Sequence, residues 1–218
     1  GYHQAVEHKL IEPVLLPAQL QYLGKLTEHI DAEISRSNFV VDMMLASARA
    51  GTLSNSEFAN HSIKKCVDEA LACYPFESSM RDRVVVKGKQ DFTFFGSDVL
   101  LVYVLYNLFK NSLHAIKSAG RGELEIAFFI DGGDKKLLIT DTGSGIPADV
   151  LPHVFEPFYS TRHNGGGTGM GLAFCQQVIS AFGGQIHCES QNGRYTRFSL
   201  SFPPKQSSTA WANERAME

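Results

Sequence analysis

The chain has 218 residues, 44% of them hydrophobic, and a formal net charge of −3, enough to bury one core of roughly 150 residues with a helical appendage. So balanced a charge excludes a general nucleic-acid surface, which shows a basic excess. No charged segment leads into an apolar stretch as in a signal peptide, and no unbroken apolar run reaches the roughly 20 residues that span a bilayer, so a soluble chain is expected.

Pro13 and Pro17 bracket the first apolar cluster, and Pro17 suits the first turn of a helix. From Leu20 to Ala48 the spacing alternates three and four through Leu23, Thr27, Ile30, Ile34, Ser37, Val41 and Met44, seven of the nine positions apolar, with Lys25, Glu28, Asp31, Glu33 and Arg36 on the faces between. That pattern predicts a long amphipathic helix over about 18–50 whose seam at 20–48 meets a partner helix, ending at Gly51. The plainer alternative is an ordinary amphipathic helix packed on the globular domain.

Residues 60–74 have helical spacing again, and VVVK (84–87) and DFTFF (91–95) read as strands around a Gly88 turn. A long apolar helix is predicted over 97–118, closed by Gly120 and Gly122. Strands at 123–130 and 135–140 flank the turn DGGD, and 148–154 reads as a short helix. A glycine-dense stretch at 165–171 opens a helix running to Phe182, and QIHCES and TRFSLSF form a final hairpin turned at Asn192–Gly193. Residues 205–218 read as a polar tail or linker. Cys66, Cys73, Cys175 and Cys188 lack zinc or CxxC spacing, so thiols in a reducing cytoplasm are expected. Helices and strands in this order predict an α+β sandwich, a mixed sheet with helices on one face, preceded by the bundle-type helix. The expected divisions are 1–56, 57–204 and 205–218.

Three islands carry chemistry. Asn107 and Asn111 lie four apart on the helix 97–118, so both amides project from one face, near Lys110 and His114. An amide oxygen is a hard neutral ligand suited to a hydrated magnesium ion, although two satisfied helix amides would look the same. Asp141-Thr-Gly143-Ser-Gly145-Ile146-Pro147 follows a strand. Glycines at 143 and 145 leave room for a flat ring against backbone, and a strand-end carboxylate accepts from an exocyclic amine; alone, this is also a tight loop. Gly165-Gly-Gly167-Thr168-Gly169-Met-Gly171-Leu172 runs into a helix. Free backbone N–H groups there attract phosphate; a bare linker is the alternative. The dinucleotide fingerprint at Gly143, Gly145 and Ala148 fails, because about 20 residues on there is neither an acid nor a second strand. No GxxxxGK[ST] occurs.

In sequence and order, NLFKN, DTGSGI, FEPFYST and GGTGMGL followed by FGGQI resemble the asparagine, first glycine, phenylalanine and second glycine boxes of sensor histidine kinases. These share the Bergerat ATP-binding fold with gyrase and the MutL ATPases, and the likeness covers about 57–203. It implies ATP and Mg²⁺ as cofactors, with Asn111 the metal ligand and Asn107, Lys110 and His114 near the phosphates. Many relatives have lysine at the position of His114. Asp141 would bind the adenine amine, with Gly143, Gly145, Ile146 and Thr196 lining the same pocket. Phe155 and Phe158 would anchor an ATP lid over 159–168, and Gly167, Thr168, Gly169, Gly171 and Leu172 would wrap the triphosphate; Arg162 lies in the lid.

The family implies phosphoryl transfer to a histidine, then to a receiver-domain aspartate of a response regulator. His8 has Pro13 at the family's distance but Lys9 where an acid belongs, so the acceptor is expected upstream of Gly1, and the chain is expected not to phosphorylate itself. ISRSNFVVDMMLASA is similar to membrane sensors for quorum-sensing α-hydroxyketones, which implies a homodimer through 20–48 and the cytoplasmic portion of an inner-membrane sensor. A non-catalytic interaction module of the same fold is the alternative. A hydrolytic ATPase of the gyrase type needs a glutamate on the helix 97–118, which has none.

Overall fold

A computed structural model describes Gly24 and residues 58–77, 79–161 and 169–204. The chain divides into two compact units, Gly1–Met44 and Leu45–Glu218. In the first, only Gly24 is described, helical and exposed. Apart from Gly24, the seam at 20–48 lies outside the described residues, as do His8, Gly167 and Thr168 with most of the expected lid, and the tail 205–218.

The second unit opens with β1 (Ala59–Ser62) and α1 (Ile63–Cys73). Ser62 caps α1 by accepting from the Lys65 N–H at 3.1 Å, and Asp91 adds a second acceptor for the Lys64 N–H at 3.0 Å. After β2 (Val84–Gly88) and β3 (Thr93–Gly96) comes α2 (Asp98–Ala119). Ser97 caps its start, and Gly120 closes it at φ 67°, the left-handed conformation that glycine tolerates. The strands β4 (Leu124–Asp131) and β5 (Asp134–Asp141) form a hairpin; α3 (Gly171–Ala181), β6 (Gln185–Gln191) and β7 (Tyr195–Phe202) follow.

The main sheet has the order β2-β4-β5-β7-β6. The β2–β4 pair is parallel and the rest are antiparallel, the mixed sheet expected. Period-two burial separates its faces: Leu124, Ile126, Leu137, Ile139, Phe198 and Leu200 are buried with the apolar sides of α2 and α3, and the alternate residues are not. The fold is therefore an α+β sandwich of two layers. Among the described residues α2 is the one helix long and apolar enough to cross a membrane; 56% of its apolar window is buried inside the domain, and the pattern of unbroken runs missed it because Asn107, Lys110 and Asn111 interrupt it.

Three expectations are corrected. Residues 59–62 are a strand and not part of the helix at 60–74, because they pair antiparallel with β3, Ala59 opposite Gly96 through Ser62 opposite Thr93. The runs 84–87 and 91–95 are no hairpin: β2 lies in the main sheet and β3 in the small two-stranded sheet with β1. Gly88 does not turn the chain. It lies opposite Phe128, whose ring occupies the space a Cβ would need, and the Lys89 N–H continues the pairing to the Phe128 carbonyl at 3.1 Å. The short helix at 148–154 shrinks to a single 3-10 turn, Leu151–His153.

Candidate functional site

Asp141 ends β5, 1% exposed, directly across from Thr196 of β7, 3% exposed. One carboxylate oxygen accepts from the Gly143 N–H at 3.1 Å. Burial holds the acid up at about 6 from an ordinary 3.8, with the Gly143 N–H pulling the other way. The Ser112 hydroxyl of α2 sits near enough to favour the carboxylate slightly, yet by distance and angle it is a buried group with no hydrogen-bond partner. A buried orphan hydroxyl beside a buried carboxylate is costly unless something with both donors and acceptors satisfies them. An aminopurine edge has that complement.

The loop after Asp141 is held on two sides. Ser144 donates its N–H to the Ala115 carbonyl of α2 at 3.2 Å, and its own carbonyl accepts from the Gly193 N–H of the β6–β7 turn at 2.6 Å. The glycines serve this packing. A Cβ on Gly143 would stand 2.5 Å from the Ala115 carbonyl carbon, and one on Gly145, at φ 66°, would run into the Gln191 carbonyl. Ile146, half-buried, donates its N–H to Ser190 Oγ at 2.8 Å. Arg121 bonds the Gly193 carbonyl at 2.7 Å and, at 3.4 Å, the Thr142 carbonyl.

On α2, Asn111 is half-buried beside Ser112, while Lys110 and His114 are exposed; His114 Nδ1 lies 3.5 Å from the Ser118 hydroxyl. Asn107 is 5% exposed, and its amide donates to the Tyr103 carbonyl one turn back at 3.0 Å. Its oxygen fills the space beside Gly171, where a Cβ would lie 2.6 Å away. Asn107 is thereby committed to joining α2 to the start of α3. There Gly171 and Leu172 are half-buried, no side chain caps the helix, and its first turn carries no acid. Those uncapped N–H groups suit an anion.

Phe155 packs its ring edge-on to Phe198 at 6.4 Å. Phe158 is 76% exposed and its backbone sits at φ 66°, rare for a bulky residue. Its N–H donates to the Gly169 carbonyl at 3.1 Å, and Gly169, at φ 70°, packs so close that a Cβ would strike the Phe158 backbone. Phe158 and Gly169 thus meet through their backbones and not through an aromatic ring.

Sequence reasoning missed Ser112, Arg121 and Ser190. Ser112 carried a signal: it interrupts the apolar stripe Leu105, Leu108 and Ile116. The other two act on partners remote in sequence. Among the described residues no group of histidine, cysteine and acidic side chains forms a metal site. All four cysteines are free thiols; burial pushes Cys188 up to about 12.

A family described as "Histidine kinase-, DNA gyrase B-, and HSP90-like ATPase" matches residues 96–206. The chain is 35% identical over 194 residues to the CAI-1 autoinducer sensor kinase/phosphatase CqsS of Vibrio cholerae, covering 88% of this chain and 28% of that one. It is 30% identical to the autoinducer 1 sensor kinase/phosphatase LuxN of Vibrio harveyi, covering 91% of this chain and 25% of that one. The chain thus spans about a quarter of the length of these curated relatives. Among solved structures it resembles full-length ShkA in complex with AMPPNP (TM-score 0.64, 22% identity, 89% of this chain and 41% of that one). The catalytic domain of the histidine kinase ThkA is also similar (TM-score 0.58, 22% identity, 69% of this chain and 99% of that one). With the family match spanning more than half its residues, the chain belongs to the histidine kinase-, DNA gyrase B- and HSP90-like ATPases, and sensor histidine kinases are its homologues.

Proposed function

We propose that this chain is the nucleotide-binding catalytic part of a sensor histidine kinase, taking ATP with Mg²⁺ and passing phosphoryl to a histidine of a dimerisation bundle. A response-regulator receiver domain is the onward acceptor, residues 20–48 form the dimer seam, and the chain works as the cytoplasmic portion of an inner-membrane sensor. The names of CqsS and LuxN support an autoinducer-responsive kinase/phosphatase. One observation carries the nucleotide reading: a buried carboxylate with a single backbone donor stands beside a buried hydroxyl with no partner.

The division of labour follows from the elements. Asp141 accepts from the base, and Thr196 stands beside it on the neighbouring strand. Asn111 is the metal ligand, with Lys110 and His114 toward the phosphates on the same helix. The uncapped start of α3, with Gly169, Gly171 and Leu172, faces the phosphate chain. Bound Mg·ATP supplies the γ-phosphoryl group; the chain's own task is to hold and orient, and to place positive charge, as in other phosphoryl transfers. Helix α2 has no glutamate to take a proton from water, which favours transfer to a histidine over hydrolysis.

Calorimetry with ADP or ATP tests this reading. Saturable heat that needs Mg²⁺ for full affinity, and that Asn111→Ala weakens, is expected. No heat from the unaltered chain would leave the non-catalytic interaction module standing instead.

A further inference from the structure

A row of three polar side chains crosses the sheet at the end that holds Asp141. Ser190 of β6 is paired with Thr196 of β7, and Thr196 with Asp141 of β5. Ser190 Oγ meets three groups. It lies 2.6 Å from the Tyr195 carbonyl, 2.8 Å from the Ile146 N–H and 3.3 Å from Thr196 Oγ1.

A serine hydroxyl has one proton and two lone pairs. The Tyr195 carbonyl can only accept, so it takes the Ser190 proton. The Ile146 N–H can only donate, so it uses one lone pair. The contact with Thr196 is then left with one polarity: Thr196 donates and Ser190 accepts. Its proton committed sideways, Thr196 can offer nothing but lone pairs to a ligand. Beside it the Asp141 carboxylate is likewise an acceptor.

We infer that Ser190 is a specificity-positioning residue: by fixing Thr196 as an acceptor next to Asp141, it sets the site to receive a purine bearing an amine at its 6-position and to reject one bearing oxygen there. The inference rests on the nucleotide reading above and deepens it. A 6-amino group supplies two N–H donors to the two acceptors. A 6-oxo group in the same orientation brings an acceptor against acceptors, and its buried lone pairs stay unpaired. Ser190 touches no ligand itself; it works through the Thr196 hydroxyl and, by the Ile146 N–H, through the loop that follows Asp141.

The test compares ADP with inosine diphosphate, which carries oxygen at the 6-position, by calorimetry with Mg²⁺ on the whole chain. The unaltered chain should prefer ADP. Ser190→Ala frees the Thr196 proton, so the ADP preference should shrink about fivefold or more while ADP affinity falls about three- to tenfold. Ser190→Thr restores the hydroxyl and should restore the preference. A structural defect alone would weaken both nucleotides together, so the ratio is the deciding readout. Should Ser190→Ala not fold, Ser190→Cys keeps the shape while accepting hydrogen bonds poorly, and it carries the same expectation. An unchanged ratio in either variant overturns the inference, as does a Ser190→Thr chain that behaves like Ser190→Ala. No ADP binding by the unaltered chain would overturn the nucleotide reading itself, an outcome distinct from binding without a Ser190 effect.

Discussion

Replacing Asp141 with asparagine should push stability and nucleotide affinity in opposite directions. Burial raises the acid to about 6 from 3.8, so keeping it ionised inside the domain at neutral pH costs about 3 kcal/mol. The sign follows from proton binding. Between pH 3.8 and 6 the native state holds a proton that the unfolded chain has released. This contribution to stability is therefore complete below 3.8 and is lost as pH rises through about 6. The replacement amide cannot ionise, its oxygen can still accept from the Gly143 N–H, and its nitrogen can donate to the partnerless Ser112 hydroxyl. The ligand-free Asp141→Asn variant at pH 7 should gain about 2 kcal/mol, or about 4–8 °C in melting temperature for a domain of this size. Adenine nucleotide, by contrast, loses a charged acceptor and should bind about tenfold to a hundredfold more weakly. In the parent, affinity should also fall as pH drops below about 6, because the ionised carboxylate accepts from the amine more strongly than the neutral acid. Denaturation of parent and variant at pH 4.5, 5.5 and 7, with calorimetry at the same pH values, reads all of this. A variant that melts lower at pH 7, or that keeps the parent's dependence between pH 4 and 6, would refute the reasoning.

Further perturbations probe the walls of the site. Gly145→Ala forces a side chain into left-handed backbone and against the Gln191 carbonyl; denaturation should show a loss of about 2–4 kcal/mol, with faster hydrogen exchange at the Gly193 amide. Phe158→Asn relieves a bulky residue at φ 66° whose ring is exposed; denaturant midpoints should rise by the equivalent of about 0.5–1 kcal/mol, and a fall would reveal packing by the ring. Arg121→Ala removes two bonds to backbone carbonyls from an exposed side chain. It should change stability by no more than about 1 kcal/mol yet weaken ADP about threefold to tenfold in a titration, because the hairpin turn and the Asp141 loop lose a shared clamp.

What the sequence made legible was local. The helix from Asp98 to Ala119 carries both its capping serine and its terminal glycine within reach, and the hairpins at Gly132–Gly133 and Asn192–Gly193 are marked by residues that tolerate φ above zero. Strand β1 was hidden because ANHS has no alternation of its own; it is a strand only because β3, more than 30 residues on, offers it a ladder. The false hairpin at Gly88 arose the same way. Two apolar runs separated by a glycine look paired, but β2 finds its partner in β4 across the whole of α2. At the site, Asp141, Asn111 and the glycines stood out through unusual residues in fixed order. Their reasons did not: the glycine at 143 is required by the backbone of α2 and that at 145 by the distant hairpin. Ser190 was an ordinary strand serine until the register set it beside Thr196.

The two ends of the sheet have opposite characters, and this bears on where the unliganded domain is least stable. At the end marked by Phe202, rings of Phe92, Phe94 and Phe182 meet at centroid distances of 5.2–5.7 Å, burying apolar surface with no polar group to satisfy. At the end marked by Thr196 lie the carboxylate of Asp141, the orphan Ser112 hydroxyl and a clamped turn. Each deficit there is one that a ligand with matched donors and acceptors offsets, whereas nothing at the aromatic end calls for a ligand. Binding should therefore stabilise the polar end selectively. Hydrogen exchange with saturating ADP and Mg²⁺ should slow at the Gly143, Ser144, Ile146 and Gly193 amides while leaving those of Thr93 to Phe95 unchanged. Uniform slowing across both ends would mean that the nucleotide acts on global unfolding alone, and that the deficits at Asp141 and Ser112 are not what it repairs.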